Sequence, residues 1–153
     1  MKISFKATLS WTNKSDDEKK HNNRSKKNHQ VIFDENKSIS ISAAKAFKGD
    51  PHLLNPEDLL LSSLMSCHMM SYLYVCEKNG LLLDSYTDQA EAILETAADG
   101  SGRITAVHLY PKVKILNQNL QDLALSLHLE ANKLCFIANS CNFPVYHHPE
   151  VVL

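Results

Sequence analysis

The stretch that decides the fold is NPEDLLLSSLMSCHMMSYLYVCEKNG, residues 55–80. Asn55 is a favourable N-cap, Pro56 suits the first helical position, and the acidic residues after it suit the positive end of the helix dipole. Asp58, three residues after the cap, can complete a capping box. Gly80 supplies a left-handed stop. These signals predict one long helix between the two ends of the stretch.

This helix is apolar on nearly all sides, which indicates a buried, central position. Its segment Leu59–Cys76 has 18 residues without a charge, the lower limit for a membrane span. Serines and a histidine interrupt the segment, and no basic cluster beside it sets an orientation. We therefore expect a helix inside a domain or dimer core, with no membrane association.

The residues before the helix predict strands and a loop. Lys2–Trp11 alternates apolar with polar residues, the period of a half-buried strand. Residues 13–30 carry six basic and three acidic side chains, which is typical of a solvated loop. Val31–Phe33 and Ile39–Ile41 have the composition of two short strands around a turn.

The residues after the helix predict a hairpin, a second helix and a last strand. Leu81–Ala97 and Arg103–Leu116 form the arms of the hairpin, and the last strand is expected at Asn142–Tyr146. Asn119 is the expected cap of the second helix, which should end at Cys135. The apolar stripe of that helix consists of Leu120, Leu123, Leu127, Ala131 and Leu134. The order of elements predicts an α+β fold in a single domain, residues 1–153.

Composition limits the classes of protein that fit. The net charge of −1 gives no reason to expect nucleic acid as a partner. Four cysteines in 153 residues are too sparse for a disulfide scaffold, and the first ten residues show no signal peptide. We expect a cytoplasmic protein, in which cysteines serve as packing residues, metal ligands or redox-active thiols.

Cys67 lies in the middle of the predicted central helix, where a thiol either packs or acts as a nucleophile. Nucleophilic attack needs the thiolate, and an unperturbed thiol with a pKa of about 8.5 is mostly protonated at neutral pH. A protonated His68 would be the nearest cation, but it points roughly 100° away around the helix. Arg24 and Lys27, in the basic loop, are the other candidate cations.

Helix geometry limits the partners of Cys67. Cys76 lies half a turn out of phase and about 13 Å along the axis, so we expect it to be a packing residue. Cys135 and Cys141 are not constrained in this way, although Cys135 follows a stripe that should dock on the central helix. Glu57 is about 15 Å from Cys67 along a regular helix, so it joins the same site only through a helix break or a second subunit.

Four motifs together resemble the OsmC-like branch of the OsmC/Ohr family, and the resemblance covers nearly the whole chain. They are Asn55–Leu60, Ser66–Met69, Cys135–Ser140 and Asn142–Val145. The resemblance implies an intertwined homodimer of the OsmC-like fold, with central helices buried between antiparallel sheets and the site at the subunit interface.

The resemblance also implies thiol-dependent reduction of organic hydroperoxides, and of hydrogen peroxide in many members, without metal, flavin or haem. Cys67 would be the peroxidatic thiol and Cys135 the resolving thiol, with Glu57 orienting an activating arginine. This chain has Lys27 where the family has that arginine, and Arg24 three residues earlier, so either side chain could serve. A dithiol of the lipoyl type would regenerate the enzyme.

Three other classes of function compete with this interpretation. The eight histidines could supply ligands for a metal site, but C-x-x-C and H-x-x-x-H spacings are absent from the sequence. A serine hydrolase would need a G-x-S-x-G elbow, which the sequence lacks. A redox-sensing or ligand-binding protein with little turnover is compatible with the altered activating loop.

Overall fold

The computed structural model describes residues 1–12 and 25–152. The chain divides into two compact units, Met1–Leu59 and Leu60–Leu153, which are described separately. The single-domain assignment of the whole chain stays a prediction.

The first unit contains a three-stranded antiparallel sheet in the order β1-β2-β3. Its strands are β1 (Thr8–Ser10), β2 (His29–Asp34) and β3 (Lys37–Ile41). The two short strands expected around residues 34–37 are confirmed with longer bounds, since β2 already begins inside the predicted loop. The strand predicted over Lys2–Trp11 is wrong in extent, because only its three residues in β1 pair with a neighbour. Residues 13–24 of the predicted loop lie outside the described residues.

Helix α1 (Pro56–Lys78) confirms the predicted long helix. Its capping box is complete, since the Asn55 N–H donates to the Asp58 carboxylate at 3.1 Å and the Asp58 N–H donates to the Asn55 side-chain oxygen at 2.9 Å. Gly80 has φ +68°, and the following Leu81 N–H donates to the Cys76 carbonyl at 2.9 Å. This bond runs back five residues and closes the last turn, as in a Schellman stop.

The prediction that α1 is buried on nearly all sides is wrong for the single chain. One face is buried, and its residues are Leu64, His68, Tyr72, Val75 and Cys76. Met70 and Tyr74 are exposed by 59% and 58%. Among the described residues, α1 is the one helix long and apolar enough to span a membrane, a test that core helices of soluble proteins also pass. Helix α1 therefore carries more apolar side chains than a single chain buries.

The predicted hairpin is confirmed in its pairing but divided between two sheets. Its arms break at residues 89–90 and at Tyr110, giving β4 (Leu83–Asp88), β5 (Glu91–Thr96), β6 (Gly102–Leu109) and β7 (Pro111–Ile115). Strand β4 pairs with β7 and β5 with β6, both antiparallel. The hairpin therefore contributes two strands to each of two sheets.

Each sheet gains a parallel third strand from the end of the chain. Strand β8 (Val145–His147) pairs with β6, and β9 (Glu150–Val152) pairs with β7. The last strand expected at Asn142–Tyr146 therefore begins three residues later and ends one residue later, and β9 was not predicted.

Helix α2 (Gln121–Leu134) ends at Cys135, as predicted. The cap assigned to Asn119 is wrong, because the Asn117 side chain accepts from the Asn119 N–H and opens a short 3-10 turn, Gln118–Leu120, ahead of the helix. The buried face of α2 consists of Ala124, Leu127, His128 and Ala131. It packs with α1 and the inner residues of β7 in one core cluster.

Candidate functional site

Two hydrogen bonds set the register between α1 and α2. The Tyr72 hydroxyl donates to the Ala124 carbonyl at 3.0 Å, and one turn earlier on α1 the His68 Nε2 lies 3.0 Å from His128 Nδ1. The two bonds therefore link the middle of α1 to the middle of α2 at two points. Cys135 continues the buried face of α2 beyond His128. Ala131 follows His128 by three residues, and Cys135 follows Ala131 by four, so the three lie on one side of the helix.

This packing brings the thiols of Cys67 and Cys135 into hydrogen-bonding contact. Burial, with a smaller contribution from the neighbouring Cys67, raises the pKa of Cys135 to about 11. At neutral pH Cys135 is therefore a protonated thiol beside Cys67. All four cysteines are free thiols in this structure.

The two sulfurs differ in exposure to solvent. Cys135 has 0% exposure, and its Sγ accepts a hydrogen bond from the Ala138 N–H at 3.5 Å. Cys67 is half-buried and lines a cleft of about 430 Å³. The arrangement is a pair of thiols with one sulfur open to the cleft and the other enclosed by protein.

The cleft beside Cys67 is mainly apolar. Besides Cys67, its lining consists of Met70, Ser71, Tyr74, Leu134 and Phe136. None of these five residues was predicted from the sequence to belong to the site. The three on α1 follow Cys67 at spacings of three, four and seven residues, so helical periodicity alone places them on the same face. Leu134 is the last residue of α2 and Phe136 follows that helix, and sequence alone could not place them in the cleft.

His68 does not supply the positive charge that a thiolate at Cys67 would need. It is fully buried, and burial, together with the nearby His147 and His128, lowers its pKa to about 3. Burial likewise lowers the pKa of His128 and of His147 to about 4. His68 is therefore neutral at pH 7, and its role is to hold α1 against α2.

The histidine cluster is not arranged as a metal site. Among residues 1–12 and 25–152, there is no group of three or more His, Cys, Asp and Glu side chains placed to hold a metal ion. The ring centroids of His68 and His147 lie 4.2 Å apart, and the short contact from His68 to His128 is a hydrogen bond that uses one lone pair. Ring contact and hydrogen bonding account for the cluster.

The other two candidate residues that the structure describes, Glu57 and Lys27, belong to the first unit. Glu57 is half-buried in the first turn of α1, and Lys27 donates from its Nζ to the Phe47 carbonyl within the first unit. Arg24 lies outside the described residues.

The remaining two cysteines have partners of their own. Cys76 is buried and hydrogen-bonds with the Tyr72 hydroxyl, and burial raises its pKa. Its place in the core agrees with the packing role expected for it. Cys141 donates to the Ile137 carbonyl at 3.3 Å.

Comparisons with known proteins agree on one family. The model of the family described as OsmC-like protein matches residues 49–147. An OsmC-like protein of unknown function from Vibrio cholerae is 30% identical, with a TM-score of 0.81 over 99% of this chain and 100% of that one. An organic hydroperoxide resistance protein OsmC from Legionella pneumophila has 16% identity and a TM-score of 0.70, over 99% of this chain and 98% of that one. The organic hydroperoxide resistance protein OhrB of Bacillus subtilis has 16% identity and a TM-score of 0.64, over 98% of both chains. A search of curated proteins gives no match.

The buried histidines predict a loss of stability in acid. Their pKa values, about 3 for His68 and about 4 for His128 and His147, lie below the ordinary value of 6.5, so the unfolded chain binds more protons as the pH falls below 6.5. The free energy of unfolding should then drop between pH 7 and pH 5, by about 2 kcal/mol for each of the two fully buried side chains and by less for the half-buried His147. Urea denaturation at the two pH values measures this drop.

A matched pair of variants isolates the effect. His128→Gln should reduce the pH-dependent loss by about a third to a half, whereas His52→Gln, at an exposed position, should leave it unchanged. A loss of the same size in all three proteins would show that the buried histidines are not its cause.

Proposed function

Because the chain belongs to the OsmC-like protein family, we propose that it is a thiol-dependent hydroperoxide reductase in the cytoplasm, with Cys67 as the peroxidatic and Cys135 as the resolving cysteine. The observation that carries the proposal is the contact between these two thiols. A two-cysteine reduction requires one accessible sulfur and a second sulfur within bonding reach, and this pair meets both requirements.

In the first step, the Cys67 thiolate attacks the terminal oxygen of the hydroperoxide ROOH. The O–O bond breaks, the alcohol ROH leaves with one proton, and Cys67 becomes a sulfenic acid. Cys135 is protonated at this stage, so it does not compete with Cys67 for the peroxide.

In the second step, the sulfur of Cys135 displaces the hydroxyl group of the Cys67 sulfenic acid. An S–S bond forms, the proton of Cys135 joins the departing hydroxide, and water is released. An external dithiol then reduces the disulfide by exchange and becomes a disulfide itself. The balance is one hydroperoxide and one dithiol converted to one alcohol, one water and one oxidised dithiol.

The cleft favours organic hydroperoxides as substrates. Methionine, tyrosine, leucine and phenylalanine side chains surround Cys67, and their surface accommodates an alkyl or aryl group better than water. Several proteins with the same fold are called organic hydroperoxide resistance proteins. The proposed electron donor is a small dithiol of the lipoyl type, which can enter the same apolar cleft.

The proposal includes a homodimer, supported by the apolar residues that one chain leaves exposed. Leu73 on α1 is exposed by 43%, and Leu129 on α2 by 70%. A second copy that covers these helices would remove this apolar surface from water and stabilise the assembly. A site at a dimer interface would also account for the separation of about 15 Å between Glu57 and Cys67 along one helix.

We propose Arg24 as the activating cation. Its guanidinium remains charged at any pH and offers a planar set of donors to a thiolate and to a peroxide oxygen. Lys27 is the weaker candidate, because its ammonium group already donates to the Phe47 carbonyl.

Cysteine variants test the catalytic assignment. In an assay of organic hydroperoxide consumption with dihydrolipoamide, Cys67→Ser should lower the rate to background, because the nucleophile is lost. Without the dithiol, Cys135→Ser should consume about one equivalent of hydroperoxide per subunit and leave a sulfenic acid that a dimedone probe labels. Cys76→Ser is the control, since this core cysteine has no part in the reaction, and it should keep full turnover. Background rates in the unmodified protein and in Cys67→Ser alike would favour the sensing or binding alternative.

Sedimentation tests the dimer. The protein should have twice the 17.2 kDa mass of one chain at micromolar concentration. Leu73→Glu should shift the population toward the monomer, because the new carboxylate would be buried in the interface without a partner. Lys114→Glu places the same side chain on the exposed side of β7 and should leave the mass unchanged. A monomer at all concentrations would contradict the proposed assembly.

Substitutions in the basic loop test the activating cation. Arg24→Met should lower kcat/KM about tenfold or more, because loss of a nearby positive charge disfavours the thiolate by a pKa unit or more. Lys27→Met should have a smaller effect, and Arg24→Lys should retain part of the activity as a point charge. The reverse order, with Lys27→Met the more damaging change, would assign the role to Lys27.

A further inference from the structure

We propose that the reducing dithiol attacks the Cys67 sulfur of the oxidised enzyme, so that the mixed disulfide forms on Cys67 and Cys135 leaves as the thiolate. This inference rests on the proposed function, because it concerns the disulfide that the two-cysteine cycle produces. It assigns the direction of the reductive half-reaction, which the two-cysteine mechanism leaves open, since either sulfur of a disulfide can be attacked in principle.

Access to solvent distinguishes the two sulfurs. Cys135 has 0% exposure, and α2 and the following turn enclose it. Cys67 lines the apolar cleft together with Ser71 and Tyr74. Exchange at sulfur requires the incoming thiolate to reach the sulfur from the side opposite the leaving sulfur. The cleft offers such an approach to Cys67, whereas Cys135 has no solvent-exposed surface for a nucleophile to reach.

Backbone hydrogen-bond donors beside Cys135 also stabilise it as the leaving thiolate. The Ala138 N–H donates to its Sγ at 3.5 Å, and a second backbone donor, from Ile137, also favours the thiolate form. Burial acts in the opposite direction and is the larger influence on the pKa of Cys135 in the reduced protein. The contribution that Cys67 makes to this raised pKa ends when Cys67 is held in a mixed disulfide, because its sulfur then carries no charge.

The step is balanced. A thiolate RS⁻ forms a bond to the Cys67 sulfur, the Cys67–Cys135 bond breaks, and its electron pair goes to Cys135 as a thiolate, which then takes up a proton. The second thiolate of the same dithiol displaces Cys67, which leaves as a thiolate ready for the next peroxide. The dithiol loses two electrons in all, and the enzyme disulfide gains them.

The test traps the mixed disulfide. The protein is oxidised with one equivalent of cumene hydroperoxide, treated for seconds with excess N-acetylcysteine, quenched with acid, and then denatured and alkylated with N-ethylmaleimide. N-acetylcysteine has one thiol, so it forms the mixed disulfide but cannot complete the cycle within the same molecule. Tandem mass spectrometry distinguishes Cys67 from Cys76 and Cys135 from Cys141. Cys67→Ser and Cys135→Ser, each carrying the same adduct, provide the standards.

We expect about tenfold more N-acetylcysteine adduct on Cys67 than on Cys135, with the maleimide label on Cys135 of the same molecules. An adduct mainly on Cys135, or shared equally between the two, would overturn the inference while leaving the two-cysteine cycle in place. If the hydroperoxide leaves no Cys67–Cys135 disulfide before the thiol is added, the proposed function fails and the inference fails with it. The two failures are therefore read from different samples of one experiment.

Discussion

The contact between the thiols of Cys67 and Cys135 depends on how α1 and α2 pack against each other. The two residues lie on different helices, and neither helix could bring them together alone. Tyr72 and His68 on α1 each bond to α2, to Ala124 and His128, and these bonds link the two helices. The core cluster that both helices form with β7 keeps them in this arrangement. A shift of one turn would move each helix by about 5.4 Å and separate the sulfurs.

The same packing explains why the two sulfurs differ. The buried face of α1 contains His68, so Cys67, one residue earlier, lies at the edge of that face and opens onto the cleft. Cys135 extends the buried face of α2 and is therefore enclosed. Two thiols of the same chemistry thus acquire different environments, one suited to meeting a substrate and the other to staying protonated until it is needed.

Much of the fold could be predicted from the sequence because the signals are local. Helix α1 is defined by a capping box of adjacent residues at one end and by Gly80 at the other, and both are confirmed. The hairpin arms follow from alternation around Gly100. Its division between two sheets, and the parallel strands β8 and β9, depend on contacts between distant residues that no local pattern records. The cap of α2 was misplaced by two residues, since Asn117 and Asn119 carry the same side chain and only the turn geometry selects between them.

The candidate site was predicted less completely, and mostly through the family resemblance. From the residues alone, helical rotation removed Cys76 as a partner of Cys67 but could not choose between Cys135 and Cys141. Sequence also could not show that His68 is neutral, because that depends on burial beside His128 and His147. Helical periodicity could have predicted the cleft residues on α1, because they share a face with Cys67. It could not have predicted Phe136, since the position of that side chain depends on the turn after α2.

The most direct test of the account is the state of the four thiols after oxidation by an organic hydroperoxide in the absence of any reductant. One equivalent per subunit should remove two free thiols, and peptide mapping under non-reducing conditions should find Cys67 linked to Cys135, with Cys76 and Cys141 still free. Retention of all four thiols, or oxidation of Cys67 to a sulfinic acid while Cys135 remains free, would contradict the account, because two sulfurs in contact should condense before further oxidation.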